Sequence, residues 1–386
     1  MLTGLDVFLN DCESFKKRNV ALIVNHTSVT SGLTYSWNEL LGKGIRPVRI
    51  FSPEHGLFGV EQDQAPVVSG NLNGIPLTSL YGSSYGSLSP DPELLAGTDC
   101  VVFDAQDVGS RYYTYAATLV LFMRAINGSG IELIVLDRPN PISGTLAEGP
   151  LLYEGYESFV GLIPVPTRHA LTVGEMALFA KDYFQLDVDL KVIKLEGWRR
   201  GMYFDETGLP WVPPSPNMPS VDAALAYPGM CLLEGTNISE GRGTTNPFLV
   251  FGAPSADPYK LLAHPALKGI KGASLVPFFF KPTFNKHRGE ICGGFFIHIR
   301  ERAVYEPFKT GVAVVKAFFE ECPGFEFLHD VYEFNSVHPA FDLLCGCSKI
   351  RDMISDGYSV DDISETWKYE CEKAADELRA FHLYGV

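Results

Sequence analysis

The stretch TDCVVFDAQDVGSRYYTYAATLVLFMRAINGSGIELIVLD, residues 98–137, decides the fold. Residues 98–103 and 131–136 are short apolar runs typical of buried strands, and residues 113–126 between them have the spacing of a helix. Gly128 is a stop signal for that helix. Two nearly continuous apolar strands joined by a helix indicate a parallel sheet, because such sheets are covered by helices on both faces.

The same alternation continues on both sides of this unit. Towards the N-terminus, residues 19–24 and 45–51 are strand-like, and residues 37–41 between them are helix-like. Towards the C-terminus, residues 172–184 have helical spacing and residues 190–195 form a fifth apolar run. The first half of the chain is therefore predicted to be an α/β domain, a Rossmann-like doubly wound parallel sheet.

A proline-rich segment interrupts this alternation between residues 197 and 220. No helix or central strand is expected to run through it, because proline lacks the backbone N–H that both need. We place a domain boundary there and predict domains at residues 1–205 and 206–386. The second is predicted to be a smaller α/β domain, with helices at 258–263, 307–320 and 361–381 and strands at 273–280 and 291–299.

The charge of the chain excludes several classes of partner. Its 386 residues include 31 Lys and Arg against 46 Asp and Glu, a net charge of −15. Such a chain has no basic surface for nucleic acid, and its apolar stretches are far shorter than the ~20 residues that span a bilayer, so neither nucleic-acid binding nor membrane insertion is expected. The first residues have no leader pattern, so the chain as given is expected in the cytoplasm, or in the periplasm or medium if a leader has been removed.

No cofactor or metal motif is present. The eight cysteines include no C-x-x-C pair, so free thiols are expected rather than a zinc site or a disulfide framework. The turn after the first strand lacks G-x-G-x-x-G, which leaves dinucleotide binding unsupported. His26, His55 and His169 do not have metal-ligand spacing, although they could converge in space. We expect neither cofactor nor metal.

Polar clusters follow four successive strands of the predicted sheet. They are NHTS at 25–28, SPEHG at 52–56, DAQDVGSRYY at 104–113 and DRPNP at 137–141. Ligands of open parallel sheets bind beyond the carboxyl ends of the strands, where these clusters would meet. Helix capping and loop solvation are the alternative for any one cluster; the four together favour a functional site.

Glu54 is the first catalytic candidate, because a carboxylic acid in a constrained loop can give a proton to a leaving group. Asp104 and Asp107 could orient a sugar hydroxyl, hold a water or cap the following helix. Arg111 could bind a carboxylate, and Tyr112 could stack on a sugar or simply pack.

A glycine-rich loop in the second half, EGTNISEGRGTT at 234–245, is another candidate region. Its backbone could approach a ligand closely, with Glu234 and Glu240 as partner carboxylates and Arg242 as a second anion-binding group. A purely structural loop remains the alternative.

The motifs, taken in order, resemble the DUF1343 family. They include NHTSVT (25–30), SPEHGLFG (52–59), DAQDVGSRYYTY (104–115), LDRPNPISG (136–144), PTRHALTVGE (166–175), PSPNMPS (214–220), YPGMCLLEGTNISEGRGTTNPF (227–248) and FDLLCGCSKIRDMI (341–354). Members of that family are bacterial exo-β-N-acetylmuramidases of the NamZ type. The resemblance covers essentially the whole chain and implies a Rossmann-like domain and a smaller α/β domain with the active site between them.

This resemblance implies release of terminal N-acetylmuramic acid (MurNAc) from the non-reducing end of peptidoglycan fragments such as MurNAc-β-1,4-GlcNAc. Glu54 is then the general acid/base, with Asp104, Asp107, Glu234 and Glu240 competing for the second carboxylate role. Arg111 or Arg242 would bind the lactyl carboxylate of MurNAc. The candidate substrate contacts are Asn25, His55, Gln106, Arg111, Tyr112, Asn140, His169, Glu234, Asn237, Glu240 and Arg242.

Two alternatives remain open at this point. One is a non-catalytic protein that binds muropeptides or sugars in the same cleft, and the other is a metal-dependent hydrolase using His26, His55 and Asp104. The expected partner is a peptidoglycan-derived disaccharide or muropeptide, and the expected state is a monomer or a small homo-oligomer.

Overall fold

The computed structural model describes residues 1–386 and contains one large sheet in its first half. The strands of that sheet are β1 (Val20–Val24), β2 (Arg49–Ser52), β3 (Gly70–Leu72), β4 (Ile75–Ser79), β5 (Cys100–Asp104), β6 (Glu132–Leu136) and β7 (Asp189–Ile193). Their order is β3-β4-β2-β1-β5-β6-β7, and every pair is parallel except the antiparallel edge pair β3–β4. All five predicted strands are confirmed, whereas β3 and β4 were not predicted.

Helices cover both faces of this sheet, as predicted. They are α1 (Gly4–Asn10), α2 (Ser36–Gly42), α3 (Thr114–Ala125) and α4 (Val173–Tyr183). Alternate residues of β1 point to opposite faces: Leu22 packs in a core with α1 and α2, and Ile23 packs in a core with α3 and α4. The doubly wound α/β arrangement is therefore confirmed.

The second half contains a small antiparallel sheet and six helices. Its strands are β8 (Val250–Ala253), β9 (Ala273–Phe280) and β10 (Cys292–Ile299), in the order β8-β10-β9. Its helices are α5 (Val221–Met230), α6 (Pro258–Leu262), α7 (Pro307–Glu321), α8 (Ala340–Cys345), α9 (Lys349–Ser355) and α10 (Val360–Leu378). The predicted elements of this half are present; β8, α5, α8 and α9 were not predicted.

The two halves share one continuous hydrophobic core. Residues of β5 and α3 belong to the same buried cluster as residues of α5 and α7. Helices α5 and α7 cross at Gly229 and Gly311, where an added Cβ on either would collide with the backbone of the other helix. The architecture is thus two α/β units packed through a dry interface; the boundary at residue 205 stays a prediction.

The last residues of the chain return to the first sheet. The hydroxyl of Tyr384 donates a hydrogen bond of 2.5 Å to Asp137, at the end of β6. The backbone N–H of Leu383 donates one of 2.8 Å to Glu175, in the first turn of α4. The C-terminal segment therefore closes the edge of the N-terminal unit.

Two further expectations concern disulfide bonds and membrane-spanning helices. All eight cysteines are free and buried, which confirms that no disulfide framework is present. None of the helices combines the length and the apolar character needed to cross a membrane.

Candidate active site

A cavity of about 40 Å³ lies where the carboxyl ends of the large sheet face the second half of the chain. It is lined from both halves by Glu54, His55, Asp63, Tyr112, Tyr113, Thr114, Val160, Ser215, Met218, Tyr227, Glu234, Arg242, Phe248, Tyr332 and Glu333. A second hollow of about 250 Å³ adjoins it and shares Asp63, Glu234, Arg242 and Tyr332. The predicted cleft between the two units therefore exists.

Glu54 occupies the loop that directly follows β2. Only 4% of the residue is exposed, and its two carboxylate oxygens accept hydrogen bonds from the Thr114 hydroxyl (2.7 Å) and the Gln64 backbone N–H (3.3 Å). The next residue, His55, has a φ of 67°, a left-handed conformation that residues other than glycine seldom adopt. Backbone strain of this kind concentrates at functional sites, and here it turns the chain sharply beside Glu54.

Arg242 organises the carboxylates on the opposite wall. Its guanidinium contacts Glu234 (2.6 Å), Asp63 (3.1 Å) and Glu240 (3.2 Å). Burial opposes the charge of Arg242, but the three carboxylates raise its pKa well above the ordinary value. Lys286 adds a contact of 2.9 Å to Glu240.

The protonation state of Glu240 follows from this network. Burial would raise the pKa of Glu240, yet Lys286 and Arg242 together hold it below the ordinary value. Glu234 accepts a second hydrogen bond of 2.6 Å from the hydroxyl of Tyr332. The structure therefore places Glu234, Glu240 and Arg242 together beside the cavity, in an interlocked ionic cluster.

Aromatic rings form the floor of the cavity. Tyr113 and Tyr227 pack edge to face at 5.9 Å, and Tyr227 packs in the same way on Phe248 at 4.8 Å. Tyr112 also lines the cavity, while its hydroxyl donates to the backbone carbonyl of Pro228 in α5. These rings give an apolar surface of the kind on which a sugar ring packs.

Asp104 is the clearest correction among the predicted catalytic residues. It is fully buried, does not line the cavity, and accepts hydrogen bonds of 2.7 and 2.9 Å from the guanidinium of Arg138. Burial raises the pKa of Asp104, and Arg138 opposes that rise. A carboxylate held in this bidentate pair braces two strand ends, because both of its oxygens are already engaged.

Arg111 is not an anion-binding group. Its guanidinium donates to the backbone carbonyls of Pro150 (2.6 Å), Val165 (3.0 Å) and Leu344 (3.0 Å). Burial without a facing carboxylate lowers the pKa of Arg111 to about 10. This residue ties loops of the first half to α8, so the lactyl-binding role predicted for it is wrong.

Asp107 and His169 lie outside the set of residues that line the cavity. One Asp107 oxygen accepts the backbone N–H of Gly109 at 2.6 Å and lies 3.5 Å from Nε2 of His169. The other oxygen is buried without a partner, as is the hydroxyl of Tyr113, a residue of the cavity wall. Unpaired buried polar atoms are uncommon, so Asp107 stays a candidate for a supporting role.

Four of the remaining predicted contact residues brace loops and do not line the cavity. Asn25 accepts bonds from Thr27, Gln106 donates to Pro139, Asn140 donates to Leu171, and Asn237 donates to Gly324. His55 does line it, and its Nδ1 lies 2.9 Å from the carbonyl oxygen of Glu61. Amide side chains near a strand end thus fix the loops that carry the site.

Two acidic residues of the cavity were missed from the sequence. Asp63 lies in the loop after Glu54. Glu333 lies between α7 and α8, in a segment whose sequence shows no periodic pattern. Glu333 is only 6% exposed, and one of its oxygens accepts a hydrogen bond of 2.8 Å from Tyr81. Neither position carries a motif that the sequence alone would single out.

A larger hollow of about 330 Å³ lies in the second half, between α7 and the start of α10. Its charged groups neutralise one another: His264 contacts Glu320 at 2.8 Å, and Lys309 contacts Asp361 at 2.7 Å. No group of three or more His, Cys, Asp or Glu residues in the protein has an arrangement that could hold a metal ion. Size alone therefore does not make the larger hollow the better candidate.

Two models of one family match successive parts of the chain. The model described as "Exo-beta-N-acetylmuramidase NamZ, N-terminal" matches residues 20–222, and the one described as "Exo-beta-N-acetylmuramidase NamZ, C-terminal" matches residues 225–384. The chain belongs to the NamZ family. The N-terminal and C-terminal models confirm the resemblance found in the sequence.

Relatives of this NamZ-family chain cover almost its whole length. The peptidoglycan beta-N-acetylmuramidase NamZ of Bacillus subtilis (strain 168) is 39% identical over 99% of this chain and 91% of its own length. Two crystal structures of DUF1343 family proteins from Bacteroides fragilis NCTC 9343 are also similar. BF0371 has a TM-score of 0.87 at 30% identity and covers 99% of this chain and 98% of its own. BF0379 has a TM-score of 0.76 at 29% identity and covers 100% and 99%.

Proposed function

We propose that this protein is an exo-acting glycosidase that removes terminal MurNAc from the non-reducing end of peptidoglycan fragments, with MurNAc-β-1,4-GlcNAc as the minimal substrate. Membership of the NamZ family and the activity in the name of its Bacillus relative support this function. The observation that carries it here is Glu54, a buried carboxylate facing a cavity between the two units.

The walls of the cavity suit a terminal sugar. An aromatic floor of Tyr113, Tyr227 and Phe248 offers packing for a sugar ring. Small-molecule pockets commonly measure about 300–1,000 Å³, and the cavity and its adjoining hollow, of about 40 and 250 Å³, approach that range only together. We therefore expect the substrate to extend from the cavity into the adjoining hollow.

Hydrolysis of a glycosidic bond usually needs two carboxyl groups, one to protonate the leaving oxygen and one to assist attack at the anomeric carbon. Glu54 is proposed as one member of this pair. Glu234 and Glu240 are weaker partners, because Arg242 and Lys286 already neutralise them. Asp107 lies behind the wall and would act only through other groups.

Arg242 is the proposed binding group for the lactyl carboxylate of MurNAc. Its contact with Asp63, at 3.1 Å, is longer than its contact with Glu234, and the Asp63 side chain is 21% exposed. A substrate carboxylate could exchange with Asp63 while the buried contacts to Glu234 and Glu240 persist. Recognition of the lactyl group would then not require an arginine that is unpaired in the absence of substrate.

Proton NMR of MurNAc-β-1,4-GlcNAc during incubation with the protein tests this function. We expect free MurNAc and GlcNAc to appear, and the anomer of MurNAc formed first tells retention from inversion. Tight binding of the disaccharide without product would support the sugar-binding alternative and contradict the proposal. Loss of turnover after dialysis against EDTA, restored by a divalent metal, would support the metal-dependent hydrolase.

The partner is expected to be a soluble disaccharide or muropeptide. Turnover of fragments that carry peptide stems on the terminal MurNAc would show how much room the cavity leaves at the lactyl group. Size-exclusion chromatography with light scattering distinguishes a monomer from a small homo-oligomer.

A further inference from the structure

We propose that Glu333 is the second carboxyl group of the reaction, the acid that protonates the leaving glycosidic oxygen, and that Glu54 is its ionised partner. This inference rests on the proposed glycosidase function and assigns the second carboxyl group that this function requires. Glu333 and Glu54 line the same cavity from opposite units of the protein. No motif marks Glu333, so the assignment comes from the geometry of the segment that carries it.

The position of Glu333 is unusual for its surroundings. The segment has exposed residues on both sides of it: Val331 is 63% and Val337 is 79% exposed. Glu333 is only 6% exposed and faces the cavity. A charged side chain placed at random on such a segment would remain in water, because burial of a carboxylate is unfavourable without compensating partners.

The backbone conformation points to the same conclusion. Tyr332 and Asn335 exchange two backbone hydrogen bonds of 2.9 Å, which makes Glu333 and Phe334 the central residues of a two-residue hairpin turn. Both have positive φ, 47° and 65°. Turns with two positive φ angles strongly prefer Asn-Gly, because a side chain with a Cβ is strained in this left-handed region.

This turn is fixed from outside, by the first unit. Tyr81, which follows β4, donates its hydroxyl to Glu333 at 2.8 Å, and its ring packs on that of Phe334 at 5.6 Å. Only 1% of Tyr81 is exposed, so this contact is buried. A strained turn held by a buried partner is typical of a side chain whose position matters for function.

The environment of Glu333 favours its protonated form. Burial, followed by the nearby carboxylate of Glu54, raises the pKa of Glu333 well above the ordinary value of 4.5. The charged and titratable groups that line its cavity are Glu54, His55, Asp63, Tyr112, Tyr113, Tyr227, Glu234, Arg242 and Tyr332, and Tyr81 bonds to it directly. The single cation among them, Arg242, is already engaged by Asp63, Glu234 and Glu240.

The two carboxyl groups differ in the number of hydrogen bonds that they accept. Glu54 accepts one bond on each oxygen, from Thr114 and Gln64. Glu333 accepts one bond only, from Tyr81. Hydrogen bonds donated to a carboxylate stabilise its ionised form, so the proton of the pair belongs on Glu333.

The chemical step balances with these two groups and water. As the bond between C1 of MurNAc and O4 of GlcNAc breaks, its electron pair stays on O4, which takes the proton of Glu333. The attacking oxygen comes from water, either directly, with Glu54 accepting a water proton, or through a glycosyl ester of Glu54 that water then opens. In the direct route Glu54 then holds a proton that returns to Glu333 through solvent, whereas in the ester route Glu333 takes the proton of the water that opens the ester. Both routes end with MurNAc, GlcNAc and the two carboxyl groups in their starting states.

Comparison of two substrates tests the role of Glu333. One is MurNAc-β-1,4-GlcNAc, whose sugar leaving group needs protonation, and the other is 4-nitrophenyl β-MurNAc, whose phenolate leaves readily without it. We expect Glu333→Gln to lower kcat/KM for the disaccharide by about 10²–10⁴ and to lower it for the nitrophenyl substrate about tenfold or less. Glu54→Gln should impair both substrates alike.

The pH profile adds a second readout. A general acid must be protonated, so the wild-type kcat/KM for the disaccharide should fall as the pH rises through the pKa of Glu333. In Glu333→Gln, the residual activity on the nitrophenyl substrate should lack this alkaline fall. Tyr81→Phe removes a bond that lowers the pKa of Glu333, so it should move the fall to higher pH.

Three results would overturn the assignment. They are near-wild-type turnover of the disaccharide by Glu333→Gln, equal losses on both substrates, and an alkaline fall that survives the substitution. Thermal melting of each variant separates a folding defect from a chemical one, and Glu333→Asp offers a second carboxylate if the glutamine variant does not fold. A wild-type protein that turns over neither substrate would instead reject the proposed function itself.

Discussion

The hydroxyl of Thr114, the first residue of α3, donates a hydrogen bond of 2.7 Å to the carboxylate of Glu54. Glu54 follows β2 and Thr114 begins the helix that follows β5, and these two parallel strands flank β1 in the sheet. This bond orients Glu54 towards the cavity and links the catalytic loop to the N-terminus of a buried helix. Substitution of either residue therefore measures its contribution to catalysis.

Glu54→Gln should lower kcat for MurNAc-β-1,4-GlcNAc by at least about a hundredfold, because an amide of the same shape neither accepts a proton nor attacks carbon. Steady-state release of MurNAc, followed by chromatography, measures the loss. Glu93→Gln, at an exposed position outside the cavity, is the matched control and should keep full activity. Wild-type turnover by Glu54→Gln would remove this residue from the mechanism.

Thr114→Val should lower kcat by about 10- to 100-fold, the value of a lost hydrogen bond to a charged group, while KM changes little. Thr114 is a positioning residue, so its effect should act through Glu54. In the Glu54→Gln background, Thr114→Val should therefore add almost nothing. Additive losses in this double-mutant cycle would contradict the link between the two residues.

Arg242→Met should lower the free energy of unfolding by about 3–5 kcal/mol, because it leaves buried carboxylates without their shared cation. Urea denaturation followed by circular dichroism measures the change. The control is Arg302→Met: Arg302 pairs with Asp205 near the surface, and loss of such a pair costs about 1 kcal/mol or less. Equal effects of the two substitutions would indicate that Arg242 does not organise the cluster.

Glu148 should make stability depend on pH. Its carboxylate accepts the backbone N–H groups of Phe308 and Lys309 at the start of α7, and burial raises its pKa from 4.5 to about 7. A raised pKa in the folded state means that the native protein binds the proton more tightly. The stability contributed by protonated Glu148 is therefore complete below about pH 4.5 and is lost as the pH rises to about 7.

Urea denaturation of wild type and Glu148→Gln at pH 5 and pH 8 measures this linkage. We expect the free energy of unfolding of the wild type, relative to the variant, to fall by roughly 2 kcal/mol between the two pH values. A difference between the two proteins that does not change with pH would show that Glu148 has an ordinary pKa in the folded state.

Most of the fold was predictable because its strands are continuous apolar runs between helices. The edge pair β3–β4 was missed since its sequence, GNLNGIPLTS at residues 70–79, has polar residues, two glycines and a proline. An edge pair is partly exposed and needs no apolar run. Strand β8 was missed because it is only four residues long and follows a glycine-rich loop.

Residues of the site were predictable only where they directly follow a strand. Glu54 directly follows a strand, so its position could be deduced from the topology of a parallel sheet. Arg111 also follows a strand, but the sequence shows its charge and not the three backbone carbonyls that surround it. Glu333 comes from a turn whose residues, Glu-Phe, contradict the usual preference for that conformation, so no local pattern marks it.

The bonds from Tyr384 to Asp137 and from Leu383 to Glu175 have a consequence for the order of folding. They join residues that are 247 and 208 positions apart in the sequence. Contacts between such distant residues form late, because closing a long loop of chain costs entropy. We therefore expect the segment with Leu383 and Tyr384 to dock onto the first unit only after the parallel sheet has formed.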